Sequence, residues 1–287
     1  MFECSLGINL YTSKDLLAWD YVGVVFNHTQ IDVPTAGVPG GNAPVLPFRI
    51  ERPKVIYNAA TKLYVLVFHC EDAPYRVGLR GVATSATPTG PFMWSHAENP
   101  NNLFSMDMTE FVDPNDSGQA YHIRTARHNP ETWKGQNTQW TVGSKLSKDY
   151  LTVVDGPVCF NASTSAEGQA MLFHDGAYYL FASHLTGLNP NPARMLRCKA
   201  AKLADCCAPP LGPTKWEDLG NPAIGPEKTP EGQGPDTTFN SQSTFVLPLT
   251  TSSEASGSAG SVVALWMGDR WCESTSFLQT HTYVLVR

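Results

Sequence analysis

No run in the 287-residue chain comes near the ~20 consecutive apolar residues that a membrane-crossing helix needs, so no membrane partner is expected. Charge is scarce as well: Asp, Glu, Lys and Arg make up 16% of the residues, against a usual figure of about 25%. What charge there is leans acidic, 26 carboxylates against 20 Lys and Arg for a formal net of -6, which disfavours nucleic acid and anionic surfaces. The seven cysteines form no CxxC pair and no Cys/His ligand spacing, so neither a metal nor a cofactor is expected. The opening MFECSLGINLYTSKDLLAW lacks the basic stretch and apolar core of a secretory leader.

Abundance lies elsewhere. Gly (23) and Pro (22) together exceed the roughly 12% norm, which favours many turns and few exposed amphipathic helices. At 31.3 kDa the chain can bury a sizeable core. Two sequons, Asn27-His28-Thr29 and Asn161-Ala162-Ser163, fit a secreted, extracellular protein, in which Cys198, Cys206 and Cys207 would sit in a loop-rich stretch suited to a disulfide.

A two-strand unit recurs four times: a polar residue, an apolar β-rich run, a turn, then an aromatic-rich run. Its copies span residues 51–70, 107–127, 167–185 and 241–271, and each turn carries Asn, Asp, Gly or Ser between alternating apolar stretches, which is hairpin chemistry. A second unit of small-residue strand, turn and Trp- or Leu-bearing strand follows at 81–94, 138–154 and 195–220, with a lone copy at 8–23. Two hairpins per repeat make a four-stranded blade. The expected fold is therefore all-β, a five-bladed β-propeller with an incomplete first blade, forming a single domain over residues 1–287. Four blades with an N-terminal extension is the rival count. The repeat openers lie farther apart than the ~40–50 residues of common regulatory propeller repeats, which argues against a generic interaction propeller.

First strands of propeller blades line the central channel, so the polar residues that open them converge. Those openers are Glu51, Asp107, Glu167 and Gln242. Any one alone reads as a turn cap, but three carboxyls and an amide from four blades are more than packing demands. Paired carboxylates in a concave site are what cleavage of a glycosidic bond requires, one protonated to assist the leaving oxygen and one ionised or holding water. His184 closes an aromatic strand, as does His69, and Asp269-Arg270-Trp271 offers a guanidinium and an indole face to sugar. Each has a plain structural reading, a hydrogen-bonded core histidine or an internal ion pair.

The ordered set YTSKDLLAWDYVG, ERPKVIYNAATKLYVLVFH, RGVATSATPTGPF, SMDMTEFVD, SKDYL, EGQAMLFHDGAYYLFASHLTG, NSQSTFV and WMGDRW resembles glycoside hydrolase family 43, in its exo-β-1,3-galactanase branch, over nearly the whole chain. The resemblance implies an inverting, exo-acting hydrolase of β-1,3-galactan, as in arabinogalactan-type glycans, with a poly- or oligosaccharide substrate and a monomeric protein. By motif it makes Glu167 the general acid, Asp107 the carboxylate that tunes and orients it, Glu51 a contact to sugar hydroxyls, and Gln242 the amide that holds the attacking water. An acid and water-holder roughly 6.5 to 9.5 Å apart would then be expected, as inversion requires. Arg270, Trp271, Asp269 and His184 become candidate sugar contacts. The chain departs from the family at Met106, where Arg is common, at Gly168-Gln169 and at Leu188, changes that bear on subsites more than on the chemistry. Another propeller glycosidase, an α-L-arabinofuranosidase or β-xylosidase, is the enzymatic alternative. A non-catalytic carbohydrate-binding propeller is the other.

Overall fold

The computed structural model describes residues 7–34, 43–128, 139–155, 158–159, 166–187, 189–206, 215–228, 233–250, 262–270 and 284–285. These are all-β, and the chain divides into two compact units, Met1–Val112 with Gly118–Val158 and Asp113–Ser117 with Cys159–Arg287.

In the first unit β1 (Gly7–Thr12) and β2 (Asp20–Asn27) form a hairpin. A four-stranded antiparallel meander follows, made of β3 (Arg49–Asn58), β4 (Leu63–Glu71), β5 (Leu79–Ser85) and β6 (Met93–Glu98). A second sheet holds β7 (Phe104–Val112), β8 (Ala120–Arg127), β9 (Trp140–Lys145) and β10 (Val158–Cys159) in chain order. The second unit contains β11 (Glu167–His174), β12 (Ala177–Ser183), β13 (Ala193–Lys199) and β14 (Glu217–Gly220), then a sheet of β15 (Ser241–Thr250), β16 (Val262–Arg270) and β17 (Val284–Leu285). The four hairpins expected from the sequence are the pairs β3–β4, β7–β8, β11–β12 and β15–β16.

One element differs from its expected place. Residues 151–154 carry only a single bridge, Leu146 to Val153, because Asp149 Oδ1 accepts both the Ser147 hydroxyl (2.5 Å) and the Leu151 N–H (3.1 Å) and curls the chain into a turn. The fourth strand of that sheet is β10 instead.

Strand β4 explains its own unbroken apolar sequence. Val65 and Val67 point to one face, into a cluster with Met108, Ala120, Leu146 and Tyr150. Leu66, Phe68 and Cys70 point to the other, against Phe26, Ile50, Leu79 and Phe92. With both faces covered, period-2 alternation disappears. Phe68 stacks directly on Gly81, its register partner in β5, where a Cβ would stand 2.5 Å from the ring. Truncating Phe68 to Ala would cost about 3–5 kcal/mol. Polar pins tie these sheets together: buried Arg80 donates to Glu110 (3.2 Å), to Glu98 (2.7 Å) and to the carbonyls of Tyr150 and Leu151 (3.1 and 2.8 Å). Its charge is thus matched by two carboxylates and its donors by four acceptors, the condition under which a buried guanidinium is tolerated.

In the second unit Ala170 and Leu172 of β11, Phe181 of β12, Ala193 of β13 and Val246 of β15 share one cluster. Cys198 and Cys206 are joined by a disulfide across eight residues. Cys207 lies outside the described residues, as does the second sequon.

The four first strands share a further feature. Their ladders slip between Glu51 and Lys54, Ser105 and Met108, Glu167 and Ala170, and Ser243 and Phe245, and each slip inserts one extra residue on the first strand. Bulges of this kind re-aim side chains and end regular pairing. They fall beside the four polar openers.

Candidate active site

Glu167 and Gln242 belong to the second unit. Glu167 opens β11 and is half-buried, while Gln242 near the start of β15 is buried. The Gln242 Nε2 donates to Glu167 Oε1 at 3.1 Å and to Ser183 Oγ at 2.7 Å. Gly168 makes the approach possible. Its φ of +65° is the left-handed region, and a Cβ there would lie 2.7 Å from the Ser243 carbonyl oxygen and 2.8 Å from Gln242 Cγ. The Ser243 hydroxyl closes the join by donating to the Gly168 carbonyl. The expected separation of acid and water-holder is therefore corrected: a direct hydrogen bond spans them, because a glycine on one side and a serine acceptor on the other draw the amide in.

The bulge also changes which β12 residue faces Glu167. Below it Ala170 pairs with Phe181, and an unbroken ladder would bring His184 opposite Glu167. The extra residue brings Ser183 there instead. His184 is exposed, its backbone tied to Asn191 at 3.1 and 3.0 Å.

Glu51 and Asp107 belong to the first unit. Glu51 sits on β3 and precedes Arg52, whose φ of +53° mirrors that of Gly168. Arg52 meets Asp107 Oδ2 at 3.0 Å, so the cation beside this carboxylate comes from Arg52, while Met106 stands next to it in sequence. Glu51 Oε1 accepts the Tyr75 hydroxyl at 2.5 Å, and Arg49 lies over the Tyr75 ring at 4.7 Å. His69, directly across the ladder from Glu51, is buried, with Nδ1 3.1 Å from Glu51 Oε2 in an ion-pair contact that is out of hydrogen-bonding line. Its Nε2 meets Glu71 Oε2 at 3.1 Å. Glu71 is itself fixed by the backbone N–H groups of Asp72, Val77 and Gly78 at 3.0, 2.7 and 3.0 Å.

Charge follows from these contacts. Burial opposes ionisation of Glu51, but His69, the Tyr75 hydroxyl and Arg52 overcome it and hold the carboxyl down at about 2. Burial likewise opposes a charge on His69, yet the carboxylates of Glu51 and Glu71 raise it to about 10. Glu51, His69 and Asp107 bring one ligand atom each within 4.8 Å of one another, a spacing a cation could use. His69 and Arg52 already supply positive charge to both carboxylates, which leaves less for a cation to neutralise there.

Asp269 and Arg270 lie in β16 in register with Gln242 and Ser241. Trp271 and Leu188 lie outside the described residues. Sequence reasoning missed Ser183, Tyr75, Arg52 and Glu71 as members of the two clusters. None carried a signal in the sequence: even Ser183, at the end of the hairpin strand, comes opposite Glu167 only through the bulge.

The family model for Glycosyl hydrolases family 43 matches residues 1–242. No curated protein matches the chain in sequence. Among solved structures, an exo-β-1,3-galactanase from Clostridium thermocellum is 27% identical with a TM-score of 0.71, over 97% of this chain and 52% of that one. An exo-β-1,3-galactanase from Phanerochaete chrysosporium, solved with galactose, is 29% identical with a TM-score of 0.65, over 93% and 50%. A putative exo-β-1,3-galactanase from Bifidobacterium bifidum is 27% identical with a TM-score of 0.67, over 94% and 76%. The chain thus spans about half the length of the first two.

Proposed function

The chain belongs to glycosyl hydrolases family 43, and from that premise we propose that it is an inverting, exo-acting hydrolase of β-1,3-linked galactan. The observation that carries this reading is the Glu167–Gln242 pair: a carboxyl and an amide, not two carboxyls, joined at 3.1 Å where the first strands of two sheets meet. The galactanase neighbours, one of them solved with β-1,3-galactotriose, support the same substrate class.

In this reading protonated Glu167 gives its proton to the glycosidic oxygen as the bond to the anomeric carbon breaks. The leaving oxygen approaches Glu167 on the carboxyl that the Gln242 N–H also meets. Gln242 then presents its carbonyl oxygen to the water that attacks from the opposite face, the longer separation of an inverting site; as the new C–O bond forms that water loses a proton to solvent through this hydrogen bond, and solvent returns one to Glu167 for the next turnover. Glu51, ionised at any working pH and anchored by Tyr75 and His69, accepts hydrogen bonds from sugar hydroxyls. By family motif alone, Asp107 is the proposed carboxylate that orients the acid, and His184, Asp269, Arg270 and Trp271 are the proposed sugar contacts.

The fold we propose is a five-bladed propeller, a reading supported by the five sheets among the described residues and by the four repeated bulges. Secretion and a monomeric state complete the proposal, the former supported by the Cys198–Cys206 disulfide. Digestion of linear β-1,3-galactan with chromatographic product analysis tests it. Galactose or short galacto-oligosaccharides released from the chain ends are expected, whereas turnover of arabinofuranosides or xylosides alone would move the activity to another branch. Binding without turnover would reduce the chain to a carbohydrate-binding module.

A further inference from the structure

We infer that Ser183 is a positioning residue that decides which atom of the Gln242 amide faces the reacting centre. The inference deepens the hydrolase reading above and rests on it for its kinetic consequence, but its geometric content stands alone.

Ser183 is buried and pairs across the ladder with Glu167, a position it owes to the bulge in β11. Its hydroxyl oxygen has two main-chain carbonyls around it, Glu167 O at 3.4 Å and His184 O at 3.2 Å. A hydroxyl has one proton to give and two lone pairs with which to accept. With that proton drawn toward the carbonyls, what Ser183 turns to Gln242 at 2.7 Å is a lone pair, and the group it can accept is an N–H. The amide nitrogen is therefore the atom facing Ser183.

This settles an orientation that side-chain shape alone does not, since the two ends of an amide are nearly the same size. Glu167 Oε1 at 3.1 Å reinforces the choice while the carboxyl is ionised, because a carbonyl oxygen there would meet negative charge. Once Glu167 carries the proton it donates in the reaction, that reinforcement ends: a carboxylic acid accepts or donates, and either end of the amide would satisfy it. Ser183 is then the contact that keeps Nε2 in place and the carbonyl oxygen turned to water. Its role is greatest in the protonation state that reacts.

The test uses the whole chain labelled with ¹⁵N-glutamine, with the Gln242 side-chain resonance identified by its loss in Gln242→Glu. In the parent protein the two Gln242 amide protons should exchange slowly with water, and in Ser183→Ala at least one should exchange roughly tenfold faster, as for one lost hydrogen bond. On β-1,3-galactan, Ser183→Ala should lower kcat roughly tenfold with KM within about twofold, the pattern of an interaction used in the transition state. Ser183→Thr, which keeps the hydroxyl, should restore both readouts. Equal exchange in Ser183→Ala and parent overturns the inference, as does an unchanged kcat accompanied only by a lower Tm. A parent protein that shows protected Gln242 protons but no galactan turnover would refute the hydrolase reading and leave the assignment of Ser183 standing.

Discussion

Gln242 Nε2 and Glu167 Oε1 stand 3.1 Å apart, so the amide and the carboxyl on which the proposed chemistry depends hold each other directly. If Glu167 is the proton donor, Glu167→Gln should reduce hydrolysis of β-1,3-galactan about 10²- to 10⁴-fold. Binding of galacto-oligosaccharide, followed by calorimetry, should stay within a few-fold of the parent, since the amide keeps the shape. Undiminished turnover in Glu167→Gln would exclude the role.

Gly168 should tolerate no side chain. Alanine there places a Cβ 2.7 Å from the Ser243 carbonyl oxygen in a left-handed backbone, and the obstacle is main chain that cannot swing aside. Gly168→Ala should cost about 1–3 kcal/mol in chemical unfolding and displace Gln242 from Glu167. Unchanged stability together with unchanged activity would show that the bulge has room to spare.

Stability of the first unit should depend on pH through Glu51 and His69. Glu51, held down at about 2, contributes stability that is complete above its ordinary 4.5 and is lost as pH falls through about 2. His69, raised to about 10, contributes stability that is complete below its ordinary 6.5 and is lost as pH rises through about 10. Both contributions are whole between about 4.5 and 6.5. Urea midpoints measured across pH should decline on the alkaline side from 6.5 toward 10 in the parent, and His69→Gln should remove that part of the decline. The same alkaline slope in both proteins would contradict the charged state of His69.

The disulfide offers a test of the second unit. Cys198 and Cys206 close a short loop and both are buried, so replacing the pair by serine should cost about 2–3 kcal/mol. A matching fall in the parent under reductant, and no response in the double mutant, would confirm that the bond forms in the purified protein.

The sequence made some of this legible and hid the rest for physical reasons. The hairpins could be read because each combines apolar strand residues with a turn such as His174-Asp175-Gly176-Ala177, and turns of that chemistry fix register. The openers Glu51, Asp107, Glu167 and Gln242 could be read because they interrupt the apolar pattern at the same point of each repeat. The bulges could not, since one extra residue leaves no mark in a period-2 pattern, and the bulge is what puts Ser183, not His184, across from Glu167. Tyr75 and Arg52 were hidden more deeply. Both reach their partners from left-handed backbone, at φ of +58° and +53°, in residues whose chemistry gives no hint of that conformation. The short Glu167–Gln242 contact also escaped, because it depends on a missing Cβ rather than on a side chain that is present.

The most direct test of the central claim is the configuration of the first product. Proton NMR during the opening minutes of hydrolysis of a linear β-1,3-galactan, before mutarotation, reports the anomer formed at the cleaved bond. An inverting exo-hydrolase that works with Glu167 as acid and Gln242 as water-holder predicts that the new reducing end appears first as the α anomer, on galactose or short oligosaccharides released from the chain ends. A β anomer appearing first, or chains cut internally, would contradict it.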